Sequence, residues 1–248
     1  MRTVENFSYR DGLCLDLYLP EEEHFDVFVY FHGGGLTKGK KDGADVLCFA
    51  PWLTARGIAV ASAEYRLYPD AVYPDFIEDA AAAVAWVKAH IGEYGRCRRL
   101  FVGGSSAGGY LSMMLCFDGR YLGAHGIDPL EVDGYIHNAG QPTAHFKILQ
   151  ERGYDKRRLI VDETCPMWYV GSVERYAPML FVVADNDMQN RYEQTVLMVS
   201  TLKHFGHEGD TVQLKVMEGY THTAYTKVND EAGDSVFGKL VLDFMECV

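Results

Sequence analysis

Between residues 100 and 115 the chain changes character twice. Leu100, Phe101 and Val102 form an apolar run, Gly104, Ser105, Ser106, Ala107 and Gly108 follow, and Tyr110, Leu111, Met113, Met114 and Leu115 then read as a helix. A strand that turns within a few residues into a helix is the repeating unit of a parallel sheet, which points to an α/β architecture. Ser106 stands at the centre of a G-x-S-x-G pattern. A serine on such a strained turn lifts its hydroxyl above the sheet, and side chains at the flanking glycines would crowd the backbone. The amide of Ala107 opens the helix and faces any negative charge that forms beside Ser106. Ser105 is the competing hydroxyl, but only Ser106 is centred between Gly104 and Gly108. Small residues also occupy ordinary strand-to-helix turns, so the pattern alone admits a purely structural reading.

The rest of the chain repeats the alternation. A tight hairpin is expected over 7–18, with Asp11 and Gly12 at its turn. Further strands are expected near 27–31, 58–64, 100–103, 132–138, 179–184 and 212–217. Helices are expected between them near 43–56, 75–91, 107–117, 190–206 and 234–246. This predicts one α/β domain over 1–248, a mostly parallel sheet with helices on both faces. The segment 141–177 is too long for a simple connection and is expected to form a small cap over a pocket. The clearest helix starts after Pro74, loads its first turns with Asp75, Glu78 and Asp79, and stops before Gly92. It reads as packing alone.

Three more features fall where an open parallel sheet gathers its functional groups, beyond the carboxyl ends of the strands. His32, Gly33, Gly34 and Gly35 follow the run at 27–31. Three consecutive glycines let backbone amides approach a ligand closely, and neither common phosphate-loop pattern is present. Asp185 and Asp187 follow the run at 178–184, and His222 follows the run at 212–217. Of the other histidines, His24, His90, His125, His204 and His207 are expected in solvent, and His32 is expected to anchor the glycine loop. His137 and His145 fit either a pocket wall or core packing.

The bulk properties set limits. The formal net charge of -12 disfavours non-specific binding to nucleic acid or anionic membranes. No run approaches the roughly 20 apolar residues of a membrane span. The six cysteines show neither C-x-x-C nor zinc spacing. With no apolar leader at the start, they read as free thiols in a reducing cytoplasm, with no metal expected.

Taken together, these motifs resemble the hormone-sensitive-lipase-like α/β-hydrolases, the esterases with an HGGG loop. The likeness continues through Tyr65, Arg66, Leu67 and Pro69, then Tyr73 and Pro74, Asp79, and Ala82 to Trp86, and covers roughly 27–225. It implies an α/β-hydrolase fold with Ser106 as nucleophile, Asp187 as acid in preference to Asp185, and His222 as base. It also implies oxyanion donors at Ala107 and at Gly34 with a neighbouring glycine, Gly33 or Gly35. No cofactor is implied. The expected substrate is a small-molecule ester. Two departures matter: Ser105 stands where the family often has Asp, and only 31 residues precede the glycine loop. With little chain for a lipase-like lid, short acyl groups are expected, with acetylated sugars as a candidate class. An arylformamidase-type amide hydrolase is the alternative, with Trp168, Tyr169 and Tyr225 as candidate stacking residues. A non-catalytic hydrolase-fold binding protein is a third reading.

Overall fold

A computed structural model describes residues 1–248, the side chain at 210 excepted. The chain opens with β1 (Arg2–Arg10), β2 (Leu13–Leu19) and β3 (His24–Phe31), followed by α1 (Ala44–Thr54) and β4 (Ile58–Ala63). Then come α2 (Asp75–His90), β5 (Arg96–Ser105), α3 (Ala107–Phe117), α4 (Arg120–Gly123) and β6 (Gly134–Asn138). After α5 (Phe146–Glu151) the chain closes with β7 (Met179–Asn186), α6 (Arg191–His204), β8 (Val212–Thr221) and α7 (Val236–Cys247).

The eight strands form one sheet in the order β1-β2-β4-β3-β5-β6-β7-β8. β1 and β2 form an antiparallel edge, joined antiparallel to β4, and the remaining neighbours are parallel. Side chains alternate across the sheet, so a strand covered on both sides must be apolar throughout. β3 shows this: Val27, Val29 and Phe31 pack into one core and Phe28 and Tyr30 into the other. The first core is closed by α2, α3 and α6, the second by α1 and α7. Large side chains removed from water this way contribute about 1.5–3 kcal/mol each, which fixes the sheet firmly beneath its loops.

The topology positions the site. From β3 the chain crosses to β4 on one side, then returns to lay β5 against the other side of β3. Strand order therefore reverses between β3 and β5, and a crevice opens above their carboxyl ends. The parallel register pairs Phe31 with Gly104, so the glycine loop and the Ser106 turn leave the sheet side by side.

Most elements lie within a few residues of their expected bounds. The hairpin is longer than expected, because β1 begins at Arg2. Its pattern is mostly exposed, so no alternation in the sequence marks its start. The segment between β6 and β7 holds only the six-residue α5 and a turn of 3-10 helix at Pro166–Tyr169. It folds around its own small cluster of Ala144, Leu149 and Cys165, covered by Ile160 and Met167. All six cysteines are unpaired.

Candidate active site

Ser106 sits between β5 and α3 with φ 56° and ψ -109°, a left-handed conformation for a residue with a Cβ. Such strain costs on the order of 1–3 kcal/mol and persists only where the surroundings enforce it. The enforcement is visible. The Ser106 amide donates to the Asn138 carbonyl of β6 at 2.8 Å, and the Tyr110 amide donates to the Ser106 carbonyl at 2.9 Å. A Cβ at Gly108 would lie 1.9 Å from the Phe31 carbonyl oxygen, so α3 reaches the end of β3 only with glycine there.

The register of β7 and β8 brings the other two groups together. Asn186 pairs with Thr221, so the next residues, Asp187 and His222, emerge beside each other. The His222 Nδ1 lies 2.5 Å from Asp187 Oδ1, and its Nε2 lies 2.8 Å from Ser106 Oγ. The Asp187 side chain is fully buried, and its Oδ1 also accepts the Met188 amide at 2.6 Å. A carboxylate accepts only, so Nδ1 must donate to Asp187. That leaves Nε2 as the acceptor for the Ser106 hydroxyl proton. Asp185 plays a structural part instead. Its Oδ1 accepts the Gly219 amide at 2.9 Å and ties the end of β7 to β8.

Ser105 faces the opposite way, into the protein. Its hydroxyl accepts from Asn138 Nδ2 at 2.7 Å and lies 2.8 Å from the Tyr30 hydroxyl, which donates to Asp45 Oδ2 at 2.6 Å. The Tyr225 hydroxyl donates to Asn138 Oδ1 at 2.5 Å. Burial, with Asp45 adjacent, pushes the Tyr30 phenol well above its ordinary pKa and keeps it a donor. Sequence reasoning misses this buried chain under the elbow. Its only signal is an asparagine at the end of an apolar strand.

The glycine loop forms the facing wall. Gly34 has φ 124°, and a Cβ there would lie 1.8 Å from the Lys38 carbonyl oxygen. The Gly33 carbonyl lies 2.7 Å from His32 Nδ1, and the Gly34 carbonyl accepts from the Thr37 and Lys38 amides. His32 is buried and stacks on Tyr65 with ring centroids 4.4 Å apart, which anchors the loop. Among the described residues, the amides of Gly33, Gly34, Gly35 and Ala107 have no protein acceptor. A cavity of about 600 Å³ lies between the three glycines, Ser106 and His222. Thr37, Lys38, Asp45, Phe146, Thr226 and Lys227 complete much of its wall.

Several residues that the sequence leaves open between a pocket wall and core packing lie outside the cavity. His137 is enclosed by Phe117, Tyr135 and Phe181, and His145 stacks on Phe146 and lies tilted against Tyr110. Both are buried outside the cavity wall. Burial pushes each imidazole down to about 3, with the Arg191 charge adding to the effect at His145. Neither Trp168, Tyr169 nor Tyr225 lines the cavity. Trp168 is exposed, the Tyr169 hydroxyl donates to the Glu163 carbonyl, and Tyr225 is buried on Asn138. The aromatic side chain that does reach the wall is Phe146. Among the described residues no group of three or more His, Cys, Asp or Glu could hold a metal ion, and no helix is long and apolar enough to cross a membrane.

The chain is similar to proteins of known type. A family model described as BD-FAE matches residues 15–125. Esterase LipI of Mycobacterium tuberculosis (strain ATCC 25618 / H37Rv) is 39% identical over 105 residues, 42% of this chain and 32% of LipI. Ethyl acetate hydrolase of Pseudomonas putida is 27% identical over 245 residues, 88% of this chain and 73% of that protein. The chain spans only 24–40% of the length of LipI, LipN and NlhH, three of the curated relatives it matches. Among solved structures, a truncated carbohydrate esterase from gut microbiota superposes with a TM-score of 0.80 at 17% identity, covering 100% of this chain and 96% of that one. Esterase Est2 of Thermogutta terrifontis superposes with a TM-score of 0.75 at 20% identity, covering 99% and 90%. The fold is that of the α/β-hydrolases.

Proposed function

We propose that this chain, an α/β-hydrolase similar to the hormone-sensitive-lipase-like esterases, is a serine hydrolase of short-acyl carboxylic esters. The carrying observation is the unbroken relay from Ser106 Oγ through His222 to Asp187. His222 Nε2 takes the hydroxyl proton as Ser106 attacks the ester carbonyl. The buried Asp187 carboxylate holds the ring tautomer and stabilises the imidazolium. The amide of Ala107, with that of Gly34 and one neighbouring glycine, stabilises the tetrahedral oxyanion. Removing one such donor typically costs about 10² to 10³ in rate. His222 then protonates the departing alcohol, and water activated by the same imidazole releases the acid. No step needs a metal or cofactor.

Two observations support the finer reading. The cavity wall mixes glycine backbone with Thr37, Lys38, Asp45, Thr226 and Lys227, groups that hydrogen-bond a polyhydroxy alcohol such as an acetylated sugar. A long acyl tail needs an extended apolar trough, since each methylene contributes about 0.8 kcal/mol only when buried. Of the aromatic residues that could stack on an aryl formamide, Trp168, Tyr169 and Tyr225 lie outside the wall, which leaves Phe146 as its one aryl ring. The same reading puts the enzyme in a reducing cytoplasm, supported by its six unpaired cysteines.

The test is kcat/KM across p-nitrophenyl esters from acetate to dodecanoate, with acetylated sugars and N-formyl aromatics alongside. The expected profile peaks between acetyl and butyryl. A value rising steadily to ten or twelve carbons would refute the short-acyl reading, and turnover of formamides alone would refute the ester reading.

A further inference from the structure

A second cavity, of about 310 Å³, adjoins the first, and Phe146 and Met188 stand in the walls of both. Its character is different. Lys156, Arg157, Arg158 and Arg191 all line it. The whole chain carries -12, yet residues 141–177 hold six Lys and Arg against five Asp and Glu. Basic charge is thus gathered beside the nucleophile of an acidic protein.

Most of that charge is uncompensated. Arg157 pairs with Asp155, but among the described residues Lys156, Arg158 and Arg191 have no carboxylate within ion-pair distance. Arg158 lies over the Tyr154 ring, 5.6 Å from its centroid. Arg191 is the anomaly. It is only 4% exposed, and its two hydrogen bonds run to neutral acceptors, the Ala139 carbonyl at 2.5 Å and Gln141 Oε1 at 3.3 Å. A buried guanidinium is ordinarily matched by an anion, because desolvating it alone is expensive. Burial lowers its pKa to about 10, against the upward pull of the Asp187 carboxylate. Arg191 also opens α6, whose N-cap residue, Asn190, offers no side-chain hydrogen bond. The partial positive charge of that helix end therefore adds to the cavity. Glu193, in the first turn of α6, opposes it.

We propose that this basic cavity binds a carboxylate carried by the ester substrate, so that the enzyme prefers anionic esters to neutral ones of the same size. Guanidinium forks match a carboxylate in shape as well as charge. The inference rests on the ester-hydrolase reading and names its substrate class. The carboxylate sits either on the acyl half, as in a half-ester of a dicarboxylic acid, or on the alcohol half, as in an acetylated uronic acid.

Two matched pairs decide between these sources and test the claim: p-nitrophenyl hemiglutarate against p-nitrophenyl pentanoate, and acetylated glucuronate against acetylated glucose. The anionic member of one pair should show kcat/KM higher by about tenfold at low salt. That preference should collapse near 1 M salt, where the screening length is about 3 Å. The Lys156→Ala, Arg158→Ala double variant changes two side chains away from the relay. It should erase the preference through KM and leave neutral esters within about twofold of the parent. Arg191→Met, checked for folding by circular dichroism, should lower turnover of the anionic member more than that of the neutral one. An equal loss on both would assign Arg191 to supporting Asp187 and overturn the proposal. Equal or lower kcat/KM for both anionic members, with neutral esters turned over normally, would also overturn it and leave the hydrolase reading standing. No turnover of any ester would defeat both.

Discussion

The Ser106 elbow and the segment between β6 and β7 border the same crevice, but they are built on opposite principles. The elbow is dictated by the sheet. Ser106 is held by Asn138 of β6, Gly108 is pressed against Phe31 of β3, and His222 meets Asp187 because β7 and β8 pair in parallel register. The β6–β7 segment has no such frame. It carries one short helix, a cluster of three buried residues and a charged, largely exposed run at 151–159. On the proposed function, the chemistry stands on strands and the selectivity on an irregular segment, an arrangement that can change substrate without disturbing its relay.

That contrast predicts mutations of very different size. Ser106→Ala should lower ester turnover by about 10⁴-fold or more with the fold intact, as removal of a triad nucleophile does elsewhere. Ser105→Ala, whose hydroxyl is engaged by Asn138 and Tyr30 and not by His222, should retain most of it, and steady-state kinetics on both variants checks the pair. Asp187→Asn should cost about 10⁴ in kcat, because an amide no longer enforces the tautomer that leaves Nε2 free. Asp185→Asn should cost far less, and the ratio of the two kcat values is the readout.

Beneath the elbow, Asn138→Ala should act on both stability and rate. It strands the Tyr225 hydroxyl and leaves the Ser105 hydroxyl with Tyr30 alone, worth about 1–3 kcal/mol in a denaturant titration, and loosens the packing beneath the turn enough to lower kcat measurably. In the wall between the two cavities, Phe146→Ala should shift selectivity instead of rate. Octanoate should gain on butyrate by about fourfold for each methylene newly buried, with the acetate ester little changed. A variant that slows all esters equally would place Phe146 in the relay's support and blur the contrast.

The smallest expected effect on turnover lies in the core, where the readout is stability. Folded His137 and His145 take protons only near pH 3, whereas unfolded imidazoles do so near pH 6.5. The unfolded chain therefore binds more protons between those values, and stability falls as pH drops below about 6.5. Each histidine adds a slope of at most about 1.4 kcal/mol per pH unit. His137→Asn should flatten the pH dependence of the unfolding free energy by one proton's worth.

What can be read from the chain follows the same division. Apolar runs such as 27–31 and 179–184 announce buried strands, and residues just past their ends fall at the crevice, so Ser106, Asp187 and His222 are legible as candidates. The Tyr30, Ser105, Asn138 and Tyr225 network is not. It joins residues far apart in sequence, and those contacts exist only because β5 lies between β3 and β6. The aromatic residues at 168 and 169 mislead for a related reason. In a segment without periodicity nothing in the sequence says which way a side chain turns, and Trp168 turns to solvent while Phe146 turns to the cavity.

Everything proposed for the crevice depends on Ser106 being the nucleophile, with His222 and Asp187 as its activators. A fluorophosphonate labels an activated serine covalently, and intact mass with peptide mapping of the folded protein locates the label. A single adduct should form on Ser106, be absent in Ser106→Ala and form much more slowly in His222→Asn. An adduct on Ser105, or none at all on folded protein, would refute that assignment.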